Sequence, residues 1–257
     1  MHANLVIPPS LLYGFVLVLA RFAGIFTFVP LPGLNTGPNA AKITLAVTLT
    51  LAMYSRWPVI NPAPASMVQF AGWVLSEAGI GLATGLAVAL LLESVIFAAQ
   101  AISTQAGFSY ASTVDPSTEA DSTVLILTAQ TAAAVLFFAL GLHRQLLLIL
   151  ARSLETHPPG TFTASRASIE SLIQLGSGVF STGFRLALPL MTLLFLIDLS
   201  VGLLGQINSQ LQLIALVFPA KMLVSLAALS FLLLLIPRLY QQTANIAFSA
   251  LGKVLGL

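Results

Sequence analysis

Cysteine is absent from this 257-residue chain, and charged residues make up only 7% of it, against roughly 25% in ordinary soluble domains. The first absence removes disulfides, thiolate metal sites and thiol nucleophiles together. The second, set beside 58% hydrophobic residues and a mean hydropathy of +0.99, marks a chain for which water is not the main solvent. Ten Lys and Arg against eight Asp and Glu leave a formal charge of +2, with no basic cluster of the kind nucleic acid requires. No nucleic-acid partner is expected. The three histidines, His2, His143 and His157, share no ligand spacing, so no metal site is expected either. A nucleophile elbow, HExxH, a Walker loop and a dinucleotide fingerprint are all missing. The expectation is therefore a non-enzyme with no catalytic residues and no cofactor.

Long apolar runs are what the chain has instead. A helix needs about 20 residues to cross a bilayer, because its backbone polar groups must be satisfied within the segment. Six regions approach that description: 11–29, 43–54, 70–99, 124–142, 169–204 and 211–236. Turn-forming stretches separate them, at Pro30-Leu31-Pro32-Gly33, Pro58 to Pro64, Gly107 to Asp121 and Pro158-Pro159-Gly160. Met1 to Ser10 carry no Lys or Arg, and Arg21 stands where a cleavage site needs small residues. The first run is thus expected to be a retained membrane helix rather than a signal peptide. The fold class is all-α, an integral membrane-type helical protein forming one domain over residues 1–257.

The lengths do not suit six plain spans. Region 43–54 is short, while 169–204 is too long for one span and contains Gly176, Gly178, Gly183 and Pro189. It is expected to bend, break or form a hairpin. Irregular backbone at membrane depth is tolerated where protein or a water-filled cavity covers it, which points to a subunit packed within an assembly. Arg144, Arg152 and Arg166, read as one loop, and Arg238 with Lys253 would favour the cytoplasm if all six regions span. The acidic stretch of Asp115, Glu119 and Asp121 would then face the other side.

Arg21, Glu77, Glu93, Arg185, Asp198 and Lys221 lie within or beside apolar runs, where a lone charge costs at least about 2.5–3.5 kcal/mol at a helix centre. They are expected to pair or to face protein. At about 100° per residue, Glu77 and Glu93 are roughly 160° apart around one helix, and Arg185 and Asp198 roughly 140° apart, so neither pair shares a face. Structural ion pairs at helix or subunit contacts are one reading; a proton or ion relay in a secondary transporter is the other. Gly81-Leu82-Ala83-Thr84-Gly85 is a GxxxG, with Gly183 to Ala187 a looser version. Either intramolecular packing or a subunit contact would use such small residues.

The most distinctive segment is polar and glycine-broken: Gln105-Ala106-Gly107-Phe108-Ser109-Tyr110-Ala111, followed by Val114-Asp115-Pro116. Read alone, it is an interhelical loop with Asp115-Pro116 as a turn-forming pair. Together with Arg21, Pro30, Pro38 and Lys42, with Glu77, Gly81 and Gly85, and with Phe138, Gly141-Leu142-His143, Ala187-Leu188-Pro189, Gly202-Leu203-Leu204, Phe218-Pro219 and Lys221, it resembles the FliR family of bacterial flagellar biosynthesis proteins. The injectisome counterparts of that family are called SctT. The resemblance covers nearly the whole chain. It departs at Gln206 and at Ser209-Gln210-Leu211-Gln212, where the family typically has an arginine followed by a Pro-Gln-Leu-Asn run.

The resemblance implies a component of the type III export gate in the bacterial inner membrane at the flagellar basal body. It implies packing in a hetero-oligomeric helical assembly with FliP-type and FliQ-type subunits, contact with an FlhB-type protein, and passage of unfolded exported polypeptides. In this setting Gln105, Gly107, Phe108, Ser109, Tyr110, Asp115 and Pro116 belong to a plug-like loop over 105–121, with Gly107 as a hinge. Gly81, Gly85, Pro189 and Pro219 serve helix packing. The alternative kept beside it is a proton-coupled secondary transporter using Glu77, Glu93 or Asp198.

Overall fold

The computed structural model describes residues 8–29, 39–57, 66–108, 123–156, 166–207, 213–232 and 236–255. Among them there are helices and no strands: α1 (Pro9–Phe28), α2 (Asn39–Ala52), a 3-10 turn (Tyr54–Arg56), α3 (Met67–Ala106), α4 (Thr123–Ala139), α5 (Leu142–Thr156), α6 (Arg166–Ile207), α7 (Leu213–Leu232) and α8 (Ile236–Val254). Prolines and two glycines at positive φ, Gly107 and Gly141, account for several ends. Pro9 opens the first turn of α1, where a missing N–H costs nothing. Val29, at φ −65° and ψ 113°, is extended because Pro30 follows it, and Trp57 before Pro58 is extended in the same way. Ser66 starts α3, its hydroxyl accepting from the Gln69 amide at 3.2 Å.

Of the alternatives expected for 169–204, a bend, a break or a hairpin, the last two do not occur. Residues 166–207 form one helix of 42 residues with Pro189 inside it, and Pro219 likewise lies inside α7. Each proline removes one backbone bond, but Gly176 and Gly178 meet nothing within 4 Å, so no close packing forces the helix apart there. Two helices were not anticipated. The stretch holding Arg144 and Arg152 is α5 rather than a loop, and Arg238 with Lys253 lie on α8. Both helices are amphipathic. In α5, Leu142, Leu146, Leu150 and Leu154 are buried while Arg144, Arg152 and Glu155 are exposed; in α8, Tyr240, Ala244, Phe248 and Leu251 are buried. Among the described residues three helices, α1, α3 and α6, are long and apolar enough to cross a membrane, or four if α4 and α5 together make one span.

The chain divides into two compact units. The first comprises Met1–Leu90, Gly141–Leu175 and Asn245–Leu257, and its core gathers Leu17, Val18, Phe22, Ile80, Val88 and Leu150. The second comprises Leu91–Leu140 and Gly176–Ala244, with Val95, Ile102, Phe137, Leu190 and Leu194 buried. Helices α3, α6 and α8 each contribute residues to both units.

Candidate functional site

In the first unit a charged pair is built onto a glycine contact. Arg21 on α1 is 1% exposed and Glu77 on α3 is 0% exposed. The arginine Nε and Nη2 both lie 2.6 Å from Glu77 Oε2. Nη1 donates to Ser153 Oγ on α5 at 2.9 Å, and that hydroxyl donates to the Leu150 carbonyl at 2.8 Å. A single guanidinium thus joins three helices, using the planar fork that lysine lacks. The helix axes can come this close because α1 and α3 meet at glycines. A Cβ on Gly24 would lie 2.6 Å from the Ala78 carbonyl oxygen, and one on Gly81 or Gly85 would overlap the carbonyl oxygens of Arg21 and Ile25. Gly81 and Gly85 therefore face α1 of the same chain. At the rim of this unit Arg56 pairs with Glu155, and Trp57 Nε1 donates to the Thr50 carbonyl at 2.8 Å.

The second unit holds a different polar cluster. Lys221 Nζ on α7 donates to both carboxylate oxygens of Asp198 on α6, at 2.8 and 2.9 Å. Gln105 Nε2, in the last turn of α3, donates to Asp198 Oδ2 at 3.1 Å. The lysine side chain is 7% exposed and the carboxylate 39%. Two residues beyond Gln105 the helix is stopped by Gly107 at φ +87°. The Phe108 amide donates to the Ser103 carbonyl at 3.1 Å and the Gly107 amide to Thr104 at 3.2 Å, the paired bonds of a Schellman cap. Gly107 is thus the left-handed terminus of α3, a conformation that a residue with a Cβ resists.

Other residues singled out from sequence are placed apart from these clusters. Glu93 on α3 and Arg185 on α6 are exposed, and among the described residues they form no ion pair. Their angular offsets from Glu77 and Asp198 put them on other faces. Pro189 and Pro219 are also exposed. Gly183 meets Phe97 and Ser94 of α3 in close contact, and Phe97 packs edge-on against Phe180 and Phe184. Ser109, Tyr110, Asp115 and Pro116 lie outside the described residues, as does most of the 105–121 segment. Sequence reading missed Ser153, Gly24 and the Arg56–Glu155 pair. The signal for Ser153 was available: with Leu146, Leu150 and Leu154 it shares the apolar face of a 3.6-residue repeat. Among the described residues no group of three or more His, Asp or Glu could hold a metal ion.

Comparison with known proteins covers almost all of this architecture. Residues 12–246 match the family described as bacterial export proteins, family 1. The flagellar biosynthetic protein FliR of Escherichia coli (strain K12) is 28% identical over 238 residues, covering 92% of this chain and 90% of that protein. FliR of Pectobacterium carotovorum subsp. carotovorum is 29% identical, covering 84% and 83%. The surface presentation of antigens protein SpaR of Salmonella typhimurium is 26% identical, covering 91% and 87%.

Proposed function

The chain belongs to the bacterial export proteins, family 1, which makes it a membrane component of a flagellar or related type III export apparatus, and from that premise we propose that it is a non-enzymatic subunit closing a helical export pore. The partners in this reading are FliP-type and FliQ-type subunits and an FlhB-type protein, set in the lipid of the bacterial inner membrane at the flagellar basal body. Its cargo is unfolded polypeptide. The observation that carries the reading is the unbroken family match from residue 12 to residue 246, which spans both units and the whole 105–121 segment.

Two physical features support it. The run Gly107-Phe108-Ser109-Tyr110-Ala111-Ser112-Thr113 is small and weakly helical, with two aromatic rings as bulk, a composition suited to a constriction that blocks ions yet yields to a passing chain. Only 22% of the apolar window of α6 is buried by this chain, against 56% for α3. Phe180, Phe184, Phe195 and Leu196 stand exposed along it, an apolar surface of a kind that lipid or neighbouring helices cover. The transporter alternative gains nothing from Glu77. A coupling carboxylate must exchange its proton with water, and this one is sealed against Arg21.

Shortening the segment from Gly107 to Asp121 is expected to make cells leak small ions while the complex with co-expressed FliP-type and FliQ-type subunits still assembles. Lost assembly with unchanged leakage would refute the plug.

A further inference from the structure

Three helices of the second unit converge on one carboxylate. Lys221 from α7 grips both oxygens of Asp198, and Oδ2 is shared with the amide of Gln105, which sits two residues before the capping glycine of α3. Gln105 therefore spends its side-chain donor on a tertiary contact, while the backbone of the helix end is satisfied by its own cap at Ser103 and Thr104. Such a cap fixes the local conformation, but it cannot fix where the helix end lies relative to α6 and α7. Only the Asp198 contact among these bonds does that.

We propose that Asp198 is a clasp for the end of α3. Lys221 is a positioning residue that holds the carboxylate in place, and the carboxylate in turn holds Gln105, so the cluster sets the position from which the chain leaves α3 at Phe108. This chain leaves the Asp198 side chain 39% uncovered, whereas Arg21 and Glu77 are closed off on both sides. The clasp itself stands on these side chains, while its consequence for ion leakage rests on the pore reading.

The chain's lack of cysteine makes the test direct. Thr104 is exposed, in the last turn of α3, and Leu148 is exposed on α5 in the other unit. Spin labels at Thr104→Cys or Leu148→Cys would be read in the purified assembly. In Gln105→Leu, and in the double variant Asp198→Leu with Lys221→Met, the mobile fraction at position 104 is expected to rise roughly ten-fold, the scale of one hydrogen bond to a charged group. Position 148 stays unchanged, which a general loosening would not allow. Lys221→Arg, which keeps the ion pair, and Glu93→Gln, an exposed charge elsewhere on α3, leave position 104 as it was. An unmoved label at 104 in Gln105→Leu overturns the clasp, and this variant decides the matter if the double variant fails to assemble. Leakage in the same strains separates the two proposals. A released helix end without leakage leaves the clasp standing and counts against the pore reading. Leakage on shortening Gly107 to Asp121, with the label unmoved in Gln105→Leu, counts against the clasp alone.

Discussion

The pairs Arg21–Glu77 and Lys221–Asp198 each join helices that are almost entirely apolar, yet they solve the problem of a charge in such surroundings differently. The first is dry on both sides and is held on glycine-packed backbones, with Ser153 taking a further guanidinium donor. The second buries its cation, while its carboxylate is left partly uncovered by this chain and holds the end of a helix. Burying two charges is expensive, and their attraction offsets the cost only when geometry and extra hydrogen bonds are good. The first pair meets those conditions and is suited to fixing helix register. The second, whose carboxylate this chain covers only in part, is suited to holding the end of α3.

The sharpest break of that comparison is Glu77→Leu. It strands a buried guanidinium, and thermal unfolding in detergent should show a loss of about 3–5 kcal/mol. Adding Arg21→Met should recover most of it, and a double variant no better than the single one would mean the cost is packing rather than charge. Lys221→Met comes next at roughly 1.5–3 kcal/mol, the worth of hydrogen bonds to a charged group. A loss equal to that of Glu77→Leu would erase the distinction between the two sites. Gly81→Ala is expected to cost about 1–3 kcal/mol as overpacking against α1. Gly72→Ala on the same helix, where nothing lies within 4 Å, should instead stabilise by up to about 1 kcal/mol through helix propensity. The smallest effect is expected of Arg56→Gln. Its pair with Glu155 is solvent-exposed on both sides, and such pairs contribute about 0–1 kcal/mol. A double-mutant cycle with Glu155→Gln would check it.

Much of this architecture was legible before any coordinates. The apolar runs at 11–29 and 70–99 became α1 and the middle of α3, because a 20-residue apolar stretch has few alternatives to a helix. The charges that would need partners were also identifiable, and so were the faces they could not share. The partners themselves were not, since Arg21 and Glu77 are 56 residues apart and Arg21 and Ser153 are 132 apart. The amphipathic helices α5 and α8 were hidden by a different cause. Their arginines, lysine and glutamines read as loop on a hydropathy scale, although a repeat of 3.6 was present. Region 169–204 failed in the opposite sense. Its glycines and Pro189 suggested a bend, a break or a hairpin, and one helix runs through them; Gly176 and Gly178 meet nothing within 4 Å, while Gly183 packs against Phe97 and Ser94 of α3.

By itself the sequence determined a helical, membrane-type chain without thiol chemistry, its family, and the short list of charges that must be accommodated. These follow from composition, periodicity and the order of motifs, all local or additive properties. Tertiary structure alone decided which charge met which, that Gly24 faces Gly81, that Gly107 caps the end of α3, and that Glu93 and Arg185 remain on the surface of this chain. Pairings of this kind depend on how helices distant in sequence pack, and a bond or a clash that exists only after packing leaves no trace in residue spacing.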